Sequence, residues 1–318
     1  MSRPEMSVQH DVTTIGETMV AFVSRDGSTT FQAIAAGAES NVARTLAGLG
    51  LAARWVSRLG DDPLGDFLEQ RVAESGADVE VVRDPNFPTG VMTKHISGST
   101  TASQYYRSQS AARGLSPADL ERAGSSRWIH VTGITPALSA SAAELVEAVM
   151  ANTGGFLVSF DFNYRPALWR DEHTAAETLR NLARRADVVF IGDDEAEALY
   201  PAASDHAGLA ELILERADQE LIVKQGSRGA TLITHNDSTW ESALAAPVVD
   251  ATGAGDAFAA GYLAGRCLDW PSRARLRLGH LLGSRTVSVL EDVPPQLSST
   301  ELEALSPETL EARWIGVS

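Results

Sequence analysis

Two carboxylates, a threonine and a glycine turn stand together in Asp250-Ala-Thr-Gly-Ala-Gly-Asp256, followed by the helix-forming run Ala257-Phe-Ala-Ala-Gly261. At a helix start, the backbone N–H groups of Gly253, Ala254 and Gly255 lack intrahelical carbonyl partners, so they can hold an anion without any lysine. A phosphoryl group in transfer is such an anion, and each well-aimed donor can supply about 3 kcal/mol of transition-state stabilisation. Asp256, in the first helical turn, can accept the proton of an attacking hydroxyl, an effect on the order of 10² to 10⁴ in rate. A glycine turn in which Asp256 merely caps a helix would account for a lone Gly-x-Gly, but not for the full string.

Such groups need a scaffold, and the chain supplies one. Short β-prone runs recur at Trp128-Ile-His-Val-Thr-Gly133, Phe156-Leu-Val-Ser-Phe-Asp-Phe-Asn163, Asp187-Val-Val-Phe-Ile-Gly192 and Glu220-Leu-Ile-Val-Lys-Gln-Gly226. Their near-continuous apolar character predicts a sheet buried on both faces, hence mostly parallel. Helical segments over 139–151, 174–184 and 206–216 lie between them, so the fold class is α/β, a doubly wound sheet flanked by helices. Residues 18–35 and 89–107 break the alternation. They are rich in Thr, Val, Phe and Tyr, with turns at Gly27 and Gly98-Ser99, and they predict hairpins that form a small β lid within one domain over 1–318. A lid edge needs covering, and dimerisation is one way to cover it. Polar groups gather at the strand ends, where sites of α/β sheets form.

Composition removes other readings. A charge of −16 over 318 residues argues against a nucleic-acid partner, so an anionic substrate must be met by local positive groups. One cysteine and seven histidines without a His-x-x-x-His pair disfavour structural zinc. No apolar run is long enough to span a membrane, and the polar opening residues predict a cytoplasmic protein. The two lysines, Lys94 and Lys224, are followed by His95 and Gln225, so no P-loop exists. Protein-kinase loops and a G-x-S-x-G elbow are absent as well.

The Asp-x-Thr-Gly-Ala-Gly-Asp string resembles the signature of the ribokinase-like (PfkB) carbohydrate kinases. Ala36-Gly-Ala-Glu-Ser-Asn41 with the helix to Gly50, and Arg58-Leu-Gly-Asp-Asp-Pro-Leu-Gly65, are similar to two further family segments, and the resemblance runs from about residue 14 to 295. It implies MgATP as donor, dimers clasped through lids, and Gly253, Ala254, Gly255 and Asp256 as anion hole and base. It further places Lys224, Gly226, Ser227 and Gly229 on the nucleotide, and Asn163 and Glu195 on Mg²⁺ and phosphate. His280 falls beside the adenine, and Asp250 and Thr252 fall where many members bind a monovalent cation such as K⁺. Ala36 replaces a usual Gly, Gly192 a usual Asn, and His280 another Asn.

For the acceptor, Tyr105-Tyr-Arg107, Ser110-Ala-Ala, Leu115-Ser-Pro and Asp161-Phe-Asn-Tyr-Arg-Pro-Ala-Leu-Trp169 are similar to the 2-keto-3-deoxygluconate kinases. In that reading Tyr105, Arg107 and Arg165 hold a sugar acid, with Glu17, Gly37, Asn41 and Ile134 around it. A guanidinium suits a carboxylate because it offers paired, charge-assisted hydrogen bonds. The alternative role for both arginines is pairing with protein carboxylates, and Met92 stands where that subgroup often has Tyr. Fructokinases and other ketose kinases share part of the pattern. A non-catalytic sugar or nucleotide sensor on the same fold is the reading from another class. A dinucleotide dehydrogenase is set aside because the longer glycine fingerprint is missing.

Overall fold

The computed structural model describes residues 9–98, 100–151, 155–203 and 205–315. Ser99, read above as half of a turn, and the opening residues 1–8 lie outside them. The strands in chain order are β1 (His10–Ile15), β2 (Met19–Arg25), β3 (Gln32–Ala36), β4 (Ala53–Gly60), β5 (Asp78–Asp84), β6 (Val91–Ser97) and β7 (Thr100–Tyr106). They continue as β8 (Ser126–Thr132), β9 (Leu157–Asp161), β10 (Val188–Gly192), β11 (Glu220–Lys224), β12 (Gly229–Ile233) and β13 (Ser238–Ser242).

Among the described residues, nine strands form one sheet in the order β13-β12-β11-β10-β9-β8-β1-β4-β5. From β5 to β11 every pairing is parallel, while β12 and β13 close one edge as an antiparallel hairpin. That hairpin is absent from the sequence reading. The central strands β10 and β11 are apolar on both faces because helices cover both. Helices Ala140–Ala151, Glu172–Ala183 and His206–Ile213 bury Leu145, Leu179 and Leu209 against one face. Helices Ala38–Gly48, Ala254–Cys267 and Ser272–Thr286 bury Leu46, Leu263 and Leu278 against the other. Each such side chain contributes about 1.5–3 kcal/mol by leaving water. The last two helices nearly touch, since a Cβ on Gly261 would lie 2.8 Å from the Gly279 nitrogen.

The second sheet has the order β3-β2-β6-β7, two antiparallel hairpins joined by the parallel β2–β6 pair. Its inner face is apolar through Met19, Ala21, Val23, Ile34, Met92 and Ile96. On β6 the inward residues are Met92, Lys94 and Ile96, so a lysine occupies a position that strand alternation reserves for an apolar residue. Among the described residues, no helix is long and apolar enough to cross a membrane.

Candidate active site

A cleft of about 1030 Å³ runs between the small sheet and the strand ends of the large one. Gly253, Ala254, Gly255 and Asp256 line it, as do Glu17, Gly37, Asn41, Tyr105, Arg107, Ile134 and Arg165. Asn163, Glu195, Lys224, Gly226, Ser227, Gly229, Thr252 and His280 line the same cleft. Of the residues singled out from sequence, Asp250 alone does not border it, being buried beneath the glycine turn.

The turn is shaped by Gly253. Its φ of 78° is left-handed, and a Cβ there would sit 2.1 Å from the Asp292 carbonyl oxygen. Gly253 is the N-cap of the Ala254–Cys267 helix, so the helix's first N–H groups have no carbonyl one turn earlier within it. The Ala254 N–H makes a long contact of 3.4 Å with the Ala251 carbonyl. The positive end of the helix dipole therefore opens into the cleft.

Asp256 stands in the first turn of that helix, held by two amides. Asn41 Nδ2 donates to Oδ2 at 2.9 Å, and Asn163 Nδ2 donates to Oδ1 at 3.2 Å. Burial pushes the Asp256 pKa up, while the Asn41 hydrogen bond pulls it back and nearby Asp161 adds to the rise. The result is a carboxylate of raised basicity with both oxygens oriented, as a proton acceptor requires. Asn163 adopts a left-handed φ of 39° to reach it. The Oδ1 atoms of Asn41 and Asn163 are buried and have no protein partner among the described residues.

Lys224, at the end of β11, donates to Asp161 Oδ2 at 2.6 Å. Burial lowers the Lys224 pKa, but Asp161, Glu195 and Asp256 outweigh it and leave the pKa above its usual value. Its ammonium also lies beside the turn, 3.4 Å from where a Gly255 Cβ would stand. Glu195 accepts from the Tyr164 N–H at 2.6 Å and from the Gly192 N–H at 2.7 Å, so it pins the β9 and β10 ends together. His280 lies within 3.1 Å of the Glu241 carbonyl and packs edge-on against Phe258. Burial lowers its pKa to about 4, so the ring is neutral and donates through Nε2.

The two arginines behave differently. Arg107 Nη1 donates to the buried Glu17 Oε2 at 2.9 Å, Ser110 Oγ donates to Glu17 Oε1 at 2.7 Å, and the Arg107 guanidinium stacks on Tyr105. Arg165 is exposed in the cleft, and its guanidinium donates to the Tyr164 carbonyl at 3.0 Å. Among the described residues it has no ion pair.

Three residues at or behind the site escaped sequence reasoning: Asp292, which lines the cleft, and the fully buried Lys94 and Glu39. Lys94 Nζ donates to Asp250 Oδ2 at 3.1 Å and to Asp292 Oδ1 at 2.5 Å. Glu39 Oε1, fully buried, accepts from Thr132 Oγ1 at 2.8 Å and Thr135 Oγ1 at 2.7 Å. The available signal for Lys94 was its place in Met92-Thr-Lys-His-Ile96, a charge on the inward side of a strand.

Free backbone N–H groups at a helix start, an oriented carboxylate and an ammonium meet in one cleft, an arrangement suited to phosphoryl transfer to a hydroxyl. The chain belongs to the pfkB family of carbohydrate kinases, whose family model matches residues 9–296. It is 35% identical to the 2-dehydro-3-deoxygluconokinase of Bacillus subtilis over 300 residues, covering 89% of this chain and 91% of that protein. It is 30% identical to an Escherichia coli fructokinase, covering 72% and 76% respectively. The fold is also that of an Escherichia coli putative ribokinase II solved with ATP and Mg²⁺, with a TM-score of 0.78, 22% identity, and coverage of 96% of this chain and 99% of that one.

Proposed function

We propose that this chain transfers the γ-phosphoryl group of MgATP to a primary hydroxyl of 2-keto-3-deoxygluconate, also called 2-dehydro-3-deoxygluconate. The carrying observation is Arg165, an exposed guanidinium in the Asp256 cleft with no carboxylate partner among the described residues. A sugar acid supplies that partner, and the relative at 35% identity bears the matching name. Asp256 takes the hydroxyl proton as the oxygen attacks phosphorus, and the Gly253–Gly255 backbone meets the charge on the transferring group.

The residues fit MgATP. Mg²⁺ held by phosphates and water needs one or two protein oxygens, and Asn163 Oδ1 and Glu195 offer them. When bound it would offset phosphate charge. Gly226, Ser227, Gly229 and His280 lie further along the cleft and would meet the nucleoside.

The second reading is a ketose such as fructose. It is favoured by Glu17, which already neutralises Arg107, so one of the two cleft arginines needs no carboxylate from the acceptor. A coupled ADP-release assay with 2-keto-3-deoxygluconate, 2-keto-3-deoxygalactonate, fructose and ribose tests the assignment. The highest kcat/KM on 2-keto-3-deoxygluconate is expected, and a preference for fructose selects the second reading.

We further propose a homodimer through the small sheet. β7 is an exposed edge strand, and Phe31, Tyr105 and Tyr106 are exposed on the same sheet region. Sedimentation velocity at working concentration checks this, with a single monomeric species as the contrary result.

A further inference from the structure

Lys94 is fully buried on the apolar face of the small sheet, between Met92 and Ile96. An ammonium there is costly unless carboxylates meet it. Two do, one opening the glycine turn and the other packed against it. Asp250 lies three residues before Gly253, and the Asp292 carbonyl packs where a Gly253 Cβ would be.

The bonding of Asp250 leaves little for a metal ion. Its Oδ1 accepts from the Thr252 N–H at 3.1 Å, from Thr252 Oγ1 at 2.8 Å and from Thr101 Oγ1 at 3.3 Å. Its Oδ2 accepts from Lys94. A monovalent ion placed on Asp250 and Thr252 would have to displace the ammonium or share its oxygens at close range. The ammonium already takes up Asp250 Oδ2, and at such short range its charge opposes a second cation on the same oxygen.

We propose that the Lys94 ammonium is this enzyme's own monovalent cation: it takes the place of K⁺ on Asp250, ties Asp292 to the same charge, and makes the glycine turn independent of alkali metal ions. Lys94 acts as a positioning residue, since it touches the carboxylates beneath the turn and not the reacting atoms. Because it projects from β6, the cation also fastens the small sheet to the turn. A diffusible ion could not do so. The inference rests on the phosphotransferase assignment and not on which sugar is the acceptor.

The test compares KCl, NaCl and choline chloride at matched ionic strength, reading both thermal midpoint and initial velocity. For the unaltered enzyme, equal midpoints and equal velocities across the three salts are expected. A K⁺-specific rise in midpoint or velocity over choline would overturn the proposal, and no variant is needed for that arm. In choline, Lys94→Ala should lose about tenfold or more in kcat, consistent with a weakened anion cradle. KCl or methylammonium should restore part of the loss, which a merely structural lysine would not allow. A folded Lys94→Ala variant with undiminished kcat in choline, or with a loss that no cation restores, contradicts the proposal. If Lys94→Ala does not fold, the salt comparison on the unaltered enzyme decides. A wrong acceptor shows itself differently, as absent turnover in every salt alongside unchanged thermal midpoints.

Discussion

Asn41 and Asp256, 215 residues apart in sequence, meet through one hydrogen bond of 2.9 Å, from the amide Nδ2 to the carboxylate Oδ2. The first follows from helix Ala38–Gly48 and the second from helix Ala254–Cys267, which pack side by side on one face of the large sheet. The bond orients the carboxylate proposed as the base and leaves lone pairs on it free to accept a proton.

Asp256→Asn should therefore lower kcat by on the order of 10² to 10⁴, because the amide cannot take the proton. Nucleotide affinity, measured by calorimetry without acceptor, should be little changed. Asn41→Ala should cost less, about tenfold in kcat, since the carboxylate survives and loses only orientation.

The unequal states of Arg107 and Arg165 separate recognition from stability. Arg165→Ala should raise KM for sugar acids more than for neutral sugars, measured side by side in one coupled assay. Arg107→Ala should instead destabilise the fold by about 3–5 kcal/mol in urea melts, because Glu17 is left buried without its partner. The pair Arg107→Leu with Glu17→Gln should recover much of that loss.

A methyl group at position 253 tests the turn. Gly253→Ala meets both the left-handed φ and the Asp292 carbonyl. It should cost at least about 1–2 kcal/mol in a denaturant melt, together with a fall in kcat. A variant matching the parent in both would show that the turn adapts.

Glu39 gives a pH signature. Burial pushes its pKa up from 4.5 to about 7, against the hydrogen bonds from Thr135 and Thr132 that pull it down. Between those values the folded state holds a proton that the unfolded state has released. Its contribution to stability is complete below the unfolded value and is lost as pH rises through the folded one. Glu39→Gln lacks this loss, so from pH 5 to pH 8 the stability difference should shift in favour of the variant by up to about 3 kcal/mol. A difference constant with pH would show that Glu39 ionises normally.

The parallel strands were legible because a strand buried on both faces is apolar along its middle, as in Val188–Gly192 and in the Leu-Ile-Val run of Glu220–Lys224. The Gly253–Asp256 turn was legible because contiguous residues carry it. Pairings across long separations were hidden: Glu17 with Arg107, Glu39 with Thr132 and Thr135, and Lys94 with Asp250 and Asp292. Each joins residues that only the sheet order brings together. The β12–β13 hairpin was missed for a different reason, since its outer strand is half exposed and reads as a polar loop.

The buried ammonium on β6 also sets an order of events in biosynthesis. Lys94 is translated long before Asp250 and Asp292, which stand 156 and 198 positions later. Until both have emerged, the small sheet cannot seal its inner face without trapping an uncompensated charge. The nascent chain must therefore keep that face open to water while the large sheet grows, and complete it only when nearly the whole chain is available.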